Sequence, residues 1–102
     1  MKITGLRMEQ VEIPLETPIR TAIHQVASIG CVLVSIDTDD GHTGEGLVWS
    51  MGTRRLATLE AMIESLAVKV IGRDPHEHAG LWAEMWRDVN FFGAKGITLF
   101  AI

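Results

Sequence analysis

The sequence predicts an α+β domain, a three-stranded antiparallel meander followed by a small helical bundle, and three observations carry that prediction. Gly30 to Val48 reads as a hairpin: Cys31 to Thr38 is a β-branched run too short for a typical helix, Asp39-Asp40-Gly41 supplies turn chemistry, and Leu47-Val48-Trp49 resumes the apolar run. Ile3 to Ile13 shows a second, imperfect alternation. After Gly52 the apolar period changes from that of a strand to that of a helix.

Along the first strand, Leu6 and Met8 share one phase while Val11 and Ile13 fall in the other, so a bulge near Glu9 or Gln10 is expected. Pro14 is expected to end the strand because it cannot donate to a ladder. Leu15 to Ile29 then has prolines near its start, charged Glu16 and Arg20, and apolar Ile19, Ile23 and Val26 without a sustained period. That reads as a long functional loop, too apolar to be disordered. Gly44 and Gly46 in the far hairpin strand suggest a bulge or the close approach of another backbone.

Leu47 to Gly52 is expected to be a second, shorter loop, after which Thr53 can cap a helix. Leu56, Leu59, Met62, Ile63, Leu66 and Val70 follow helical spacing, and Gly72 stops the run. Asp74-Pro75-His76-Glu77 combines an N-cap, a proline at the first helical position and a glutamate at the third, a capping-box arrangement. The next stripe is Leu81, Trp82, Met85, Trp86 and Val89, with both tryptophans expected in the core. Ile97 to Ile102 is a third apolar segment, too short to form a helix unaided and expected to continue in a longer chain or to pack on a partner.

With 102 residues the chain makes one domain at most, able to bury a core with little surplus stability. A formal charge of -4 and the absence of a basic cluster argue against nucleic acid or an anionic membrane as partner. The first residues lack the long apolar segment of a signal peptide, and no apolar run approaches the roughly 18 residues of a membrane span, so a cytoplasmic location is the expectation. One cysteine, Cys31, makes no intrachain disulfide and reads as a buried structural thiol.

No constellation for catalysis survives inspection. Gly41-His-Thr-Gly-Glu-Gly46 has the wrong order of spacings for a dinucleotide loop, and a strand rather than a helix follows it. His76 and His78 are two apart, which on a helix aims them at nearly opposite faces and prevents shared ligation of one ion. Neither His42 nor His24 has a partner at ligand spacing. Asp37, Asp39, Asp40 and Glu45 cluster around a turn, where a solvated tip offers no concave site for paired carboxylates.

The order of Pro14, Thr17-Pro18-Ile19-Arg20-Thr21-Ala22, the hairpin Val32 to Gly46, Ile71-Gly72-Arg73-Asp74-Pro75 and Gly93-Ala94-Lys95-Gly96-Ile97 resembles the N-terminal capping domain of the enolase superfamily, in its mandelate racemase and muconate lactonizing enzyme branch. Many relatives carry Gly-Glu-Ala at the hairpin's end; Leu47 follows Gly46 here, which looks more like racemase or acid-sugar dehydratase members than cycloisomerases. The resemblance implies a C-terminal barrel, in the same longer chain or another, that supplies the bases and the carboxylates holding Mg²⁺. It also implies abstraction of a proton alpha to the carboxylate of a small-molecule substrate, and a homo-oligomer. It makes Leu15–Ile29 and Leu47–Gly52 the closing loops, with Ile23, His24, Leu47, Trp49 and Met51 facing substrate and neither catalytic residues nor metal ligands in 1–102. The expectation from a different class is a stand-alone, non-enzymatic α+β interaction or oligomerisation module, its apolar tail from Ile97 docking on a partner.

Overall fold

The structure is a computed structural model and describes residues 1–93 and 95–102. Three antiparallel strands, β1 (Ile3–Arg20), β2 (Gln25–Thr38) and β3 (Thr43–Met51), form a meander in the order β1-β2-β3. Helix α1 (Leu56–Val70), a 3₁₀ turn (Pro75–Glu77), α2 (His78–Val89) and the short α3 (Ile97–Ala101) follow.

Strand alternation splits the sheet into two unlike faces. On the inner face Leu6 and Met8 of β1, Val32, Val34 and Ile36 of β2 and Val48 of β3 meet the helices. Val32 is fully buried under Leu56, Leu59 and Ile63 of α1. A second cluster joins Ile3 to Leu66, Val70, Leu81, Met85 and Val89, so α1 is the element common to both. Along α1 the buried stripe is the expected one, with Met62 partly buried beside it.

Backbone contacts fix the helices to the strands. The Ile3 N–H donates to the Arg73 carbonyl at 2.9 Å and the Gly72 N–H to the Ile3 carbonyl at 2.8 Å, so the start of β1 pairs with the α1–α2 link. Gly72 makes that possible with a φ of +84°, the left-handed region open to glycine. Arg73 clamps the same link with hydrogen bonds to Glu84 at 2.8 and 3.1 Å and to Glu77 at 3.3 Å.

Several expectations change. β1 does not bulge near Glu9 or Gln10, where its register with β2 is unbroken from Gly5 to Pro14; the shifts lie between Ile3 and Gly5 and between Pro14 and Ile19. Nor does Pro14 end the strand, because β1 is an edge strand and a missing N–H there costs no ladder bond. Leu15 to Ile29 is therefore not a long loop but two paired strands joined by Thr21–His24. Leu47 to Gly52 is likewise strand, continued by a bridge between Ile29 and Gly52. Gly44 and Gly46 sit in regular register with open space where a Cβ would be. The close approach falls instead at Gly30, whose Cβ would lie 2.3 Å from the Gly52 carbonyl oxygen.

Thr53 does not cap α1 through its side chain; its carbonyl accepts from the Leu56 N–H at 3.3 Å, and Arg55 is the uncapped N-cap. Asp74 does cap, its Oδ1 accepting from the His76 N–H at 2.9 Å, but Glu77 reaches Arg73 rather than completing the box. Trp82 and Trp86 are half-exposed rather than core, since α2 turns Leu81, Met85 and Val89 inward and each tryptophan stands one position round from that stripe. α3 packs Ile97 and Ala101 against the core, and the buried Thr98 hydroxyl donates to the Gly93 carbonyl. Ala94, part of the run Gly93 to Ile97, lies outside the described residues.

Candidate functional site, a ribbon and the outer face of the sheet

Beyond the bridge at Gly52, β1 and β2 run on without a third strand as a two-stranded ribbon. Its tip is a tight turn in which the Thr21 N–H donates to the His24 carbonyl at 2.8 Å. The Thr21 Oγ1 accepts from the His24 N–H at 2.9 Å, which closes the turn without any residue at positive φ. Ile23 stands at the apex, 83% exposed, beside the exposed His24.

Leu47, Trp49 and Met51 alternate along β3. Leu47 pairs with Leu33 and Trp49 with Cys31, so these side chains share the outer face, away from the helices. All three are exposed, with Trp49 at 56%, whereas Cys31 between Trp49 and Val11 is buried, as a structural thiol should be. Leu33 and Ile13 extend the apolar area. The structure therefore brings Leu47, Trp49 and Met51 onto one face, at the end of the sheet from which the ribbon carrying Ile23 and His24 projects. Ile19, exposed on the ribbon, pairs with Val26, which falls in the same phase of β2 as Val32 and so on the other face from Trp49.

The other end of the outer face is polar. Arg7 holds Asp37 through two bonds, Nε to Oδ2 at 2.8 Å and Nη2 to Oδ1 at 2.9 Å, and the Thr43 hydroxyl donates to Oδ1 at 2.8 Å, which ties all three strands together. Those hydrogen bonds lower the Asp37 pKa to about 2. At the hairpin turn the Thr38 hydroxyl and His42 hold Asp40, also at about 2. These carboxylates stabilise a turn and a cross-strand seam.

Among the described residues no group of three or more His, Cys, Asp or Glu could hold a metal ion. The two acid–imidazole pairs, Asp40 with His42 and Asp74 with His76, each comprise two residues bonded to one another at a turn or a cap. Among the described residues no helix is long and apolar enough to cross a membrane.

The family model described as "Mandelate racemase / muconate lactonizing enzyme, N-terminal domain" matches residues 3–102. The chain belongs to that family. A D-galactarolactone cycloisomerase of Agrobacterium fabrum is 31% identical over 102 residues, all of this chain but 26% of that protein. Among solved structures, an L-talarate dehydratase from Polaromonas sp. JS666, complexed with Mg and L-glucarate, is 26% identical with a TM-score of 0.84, over 99% of this chain and 30% of that one. A racemase from Streptomyces coelicolor with bound magnesium has a TM-score of 0.85 at 24% identity, over 94% of this chain and 27% of the other, and bears on the fold alone. The chain thus spans about a quarter to a third of the length of these relatives, as an N-terminal domain.

Proposed function

We propose that residues 1–102 are the capping domain of a longer, Mg²⁺-dependent racemase- or dehydratase-type enzyme that abstracts a proton alpha to a carboxylate. The ribbon tip and the end of β3 close over the substrate, with Ile23, His24, Leu47, Trp49 and Met51 toward it. A C-terminal barrel holds the substrate carboxylate, the ion and the bases, and the assembled enzyme is a cytoplasmic homo-oligomer. The single observation carrying this reading is the exposed apolar end of the outer face, continuous with an unsupported ribbon. A lone two-stranded ribbon is marginal in water and such a face marks an interaction surface, so both call for a covering body.

Dimensions support it. The chain exposes 7040 Å², against about 5,700 Å² for a self-contained monomer of its mass. Its radius of gyration is 15.4 Å, against about 13 Å for a compact chain of this length. On the helix side a groove lined by Leu6, Val34, Ile36, Gly46, Val70 and Ile102 stands open as well. In a longer enzyme both surfaces have material to meet, as the lengths of the relatives allow.

Among the described residues no cluster of ligands fits the ion, so the part of this domain is to bind the substrate, orient it and exclude water. When bound in the full enzyme, Mg²⁺ supplies Lewis-acid stabilisation of the charge that develops on the substrate carboxylate. Closing the lid removes water and strengthens the electrostatic contacts beneath it. Exchange of the α-proton of carboxylic acids into D₂O is the test: purified 1–102 with Mg²⁺ gives none, and the intact protein carrying this domain gives it. Exchange by 1–102 alone would refute the proposal. So would an intact protein without a barrel, folded as an oligomer and inert toward every acid, which is the outcome expected of a stand-alone interaction module.

A further inference from the structure

We infer, on the homo-oligomer part of the proposed reading and independently of what the domain caps, that the free edge of β3 pairs with β3 of a second copy of this chain about a two-fold axis at Leu47. The two edges of the sheet are unlike. β1 carries Pro14, Pro18 and charged Arg7, Glu9, Glu12 and Glu16, and its register shifts at two places, all features that blunt an edge against further pairing. β3 has none of this protection: its nine residues include no proline and a single charge, Glu45, and its register with β2 is unbroken. Every second residue of an edge strand turns its N–H and C=O away from the sheet. Among the described residues no backbone hydrogen bond is made on that side from Glu45 to Ser50. Such a row of open groups, beside exposed Leu47 and Trp49, is a template for another strand.

The strand's own sequence fits a second copy of itself. Leu47 is the middle residue of Thr43–Met51, so an antiparallel copy in full overlap sets Leu47 opposite Leu47, Glu45 opposite Trp49 and Thr43 opposite Met51. No like charges meet across that ladder. On the helix side Gly44 and Gly46, with open space about their Cβ positions, stand opposite Ser50 and Val48 of the second copy. Past the strand ends the same two-fold brings the exposed Asp39-Asp40 turn of each copy toward the end that holds Arg54 and Arg55 of the other, which are exposed and, among the described residues, have no acidic partner. Parallel pairing would set acidic turn against acidic turn, so charge selects the antiparallel arrangement. A two-fold contact closes on itself, and the edge is used up in a dimer. The ladder forms at the edge of the sheet, which leaves the outer face with Trp49 and Met51 open to the barrel.

The test uses the intact protein that carries this domain. Leu47→Cys is expected to give a disulfide-linked dimer on mild oxidation, because directly opposed residues of an antiparallel pair stand about 4.5–5.5 Å apart, within disulfide reach. Glu45→Cys, roughly 13 Å from its counterpart at about 3.3 Å per residue, is expected to stay unlinked. Leu47→Lys and Leu47→Glu should each halve the mass measured by light scattering, and mixing the two should restore it, which variants that fail to fold cannot do. An oligomer in which Leu47→Cys stays unlinked, or whose mass the charge variants do not change or their mixture does not restore, overturns the edge pairing and leaves the homo-oligomer reading standing. Equal linking of Leu47→Cys and Glu45→Cys also overturns it, because collision rather than a fixed register then joins the chains. An intact protein that stays monomeric at every concentration removes the homo-oligomer reading and the edge pairing together, without touching the capping reading, which α-proton exchange tests separately.

Discussion

The two faces of β2 make an instructive pair. They belong to one strand, are similarly apolar and differ only in phase, yet Val32 on one is fully buried beneath α1 while Leu33 on the other is 37% exposed. The helices cover the first face, whereas among the described residues no helix lies on the second, where only Cys31 is buried, between the neighbouring strand side chains of Val11 and Trp49. Burial on the inner face therefore serves folding, whereas apolar area on the outer face adds nothing to the stability of these residues by themselves. Its contribution comes only when something else lies on it.

That contrast can be broken by mutation, and the largest effect is expected inside. Leu56→Ala removes a side chain that is 2% exposed over Val32 and should cost about 3 kcal/mol in urea unfolding of 1–102. Leu47→Ala, on the outer face, should stay within about 0.5 kcal/mol. Equal losses would mean that the outer face is not free. The next effect belongs to backbone packing. Gly30→Ala would set a Cβ 2.3 Å from the Gly52 carbonyl oxygen and should cost about 1–3 kcal/mol. Gly46→Ala has open space about its Cβ position and should be neutral or gain about half a kcal/mol.

Acid sharpens the comparison further, because the polar end of the outer face stabilises the sheet while its apolar end does not. Asp37 and Asp40 titrate at about 2 in the folded protein and near 3.9 when unfolded. A lowered folded pKa stabilises above the unfolded value, and the stabilisation fades as pH falls through the folded one. Tm should therefore fall between about pH 4 and pH 2, and Asp37→Asn, which weakens the Arg7 seam, should flatten part of that slope. Smallest of all is Trp49→Ala, on the exposed outer face, expected to change the unfolding free energy of 1–102 by less than about 0.5 kcal/mol.

How much was legible depended on whether a signal was local. The α1 stripe was readable because Leu56, Leu59, Ile63, Leu66 and Val70 repeat with the helix period, and the same helix buried them all. The stripe of α2 was readable only in part, since periodicity admitted Trp82 and Trp86 and their half-exposure depends on which neighbours reach them. Pro14 misled for a similar reason: its missing N–H ends a central strand but is harmless at an edge, and β1's place at the edge is a property of the sheet. Of the candidate site, Leu47, Trp49 and Met51 were identifiable as residues, but that they alternate along one strand and share a face came from the register.

The sequence by itself determined what is written in neighbouring residues: the hairpin turn at Asp39-Asp40-Gly41, the helix period, the stop at Gly72, the cap at Asp74, and the family order of motifs. The tertiary structure decided what depends on residues far apart, including the length of the ribbon, the approach of Gly52 to Gly30, and which side of β2 the helices cover. The physical reason is that turn and helix preferences are set within a few residues, whereas burial is set by whatever partner arrives. Among the described residues the helices arrive on one side of the sheet only.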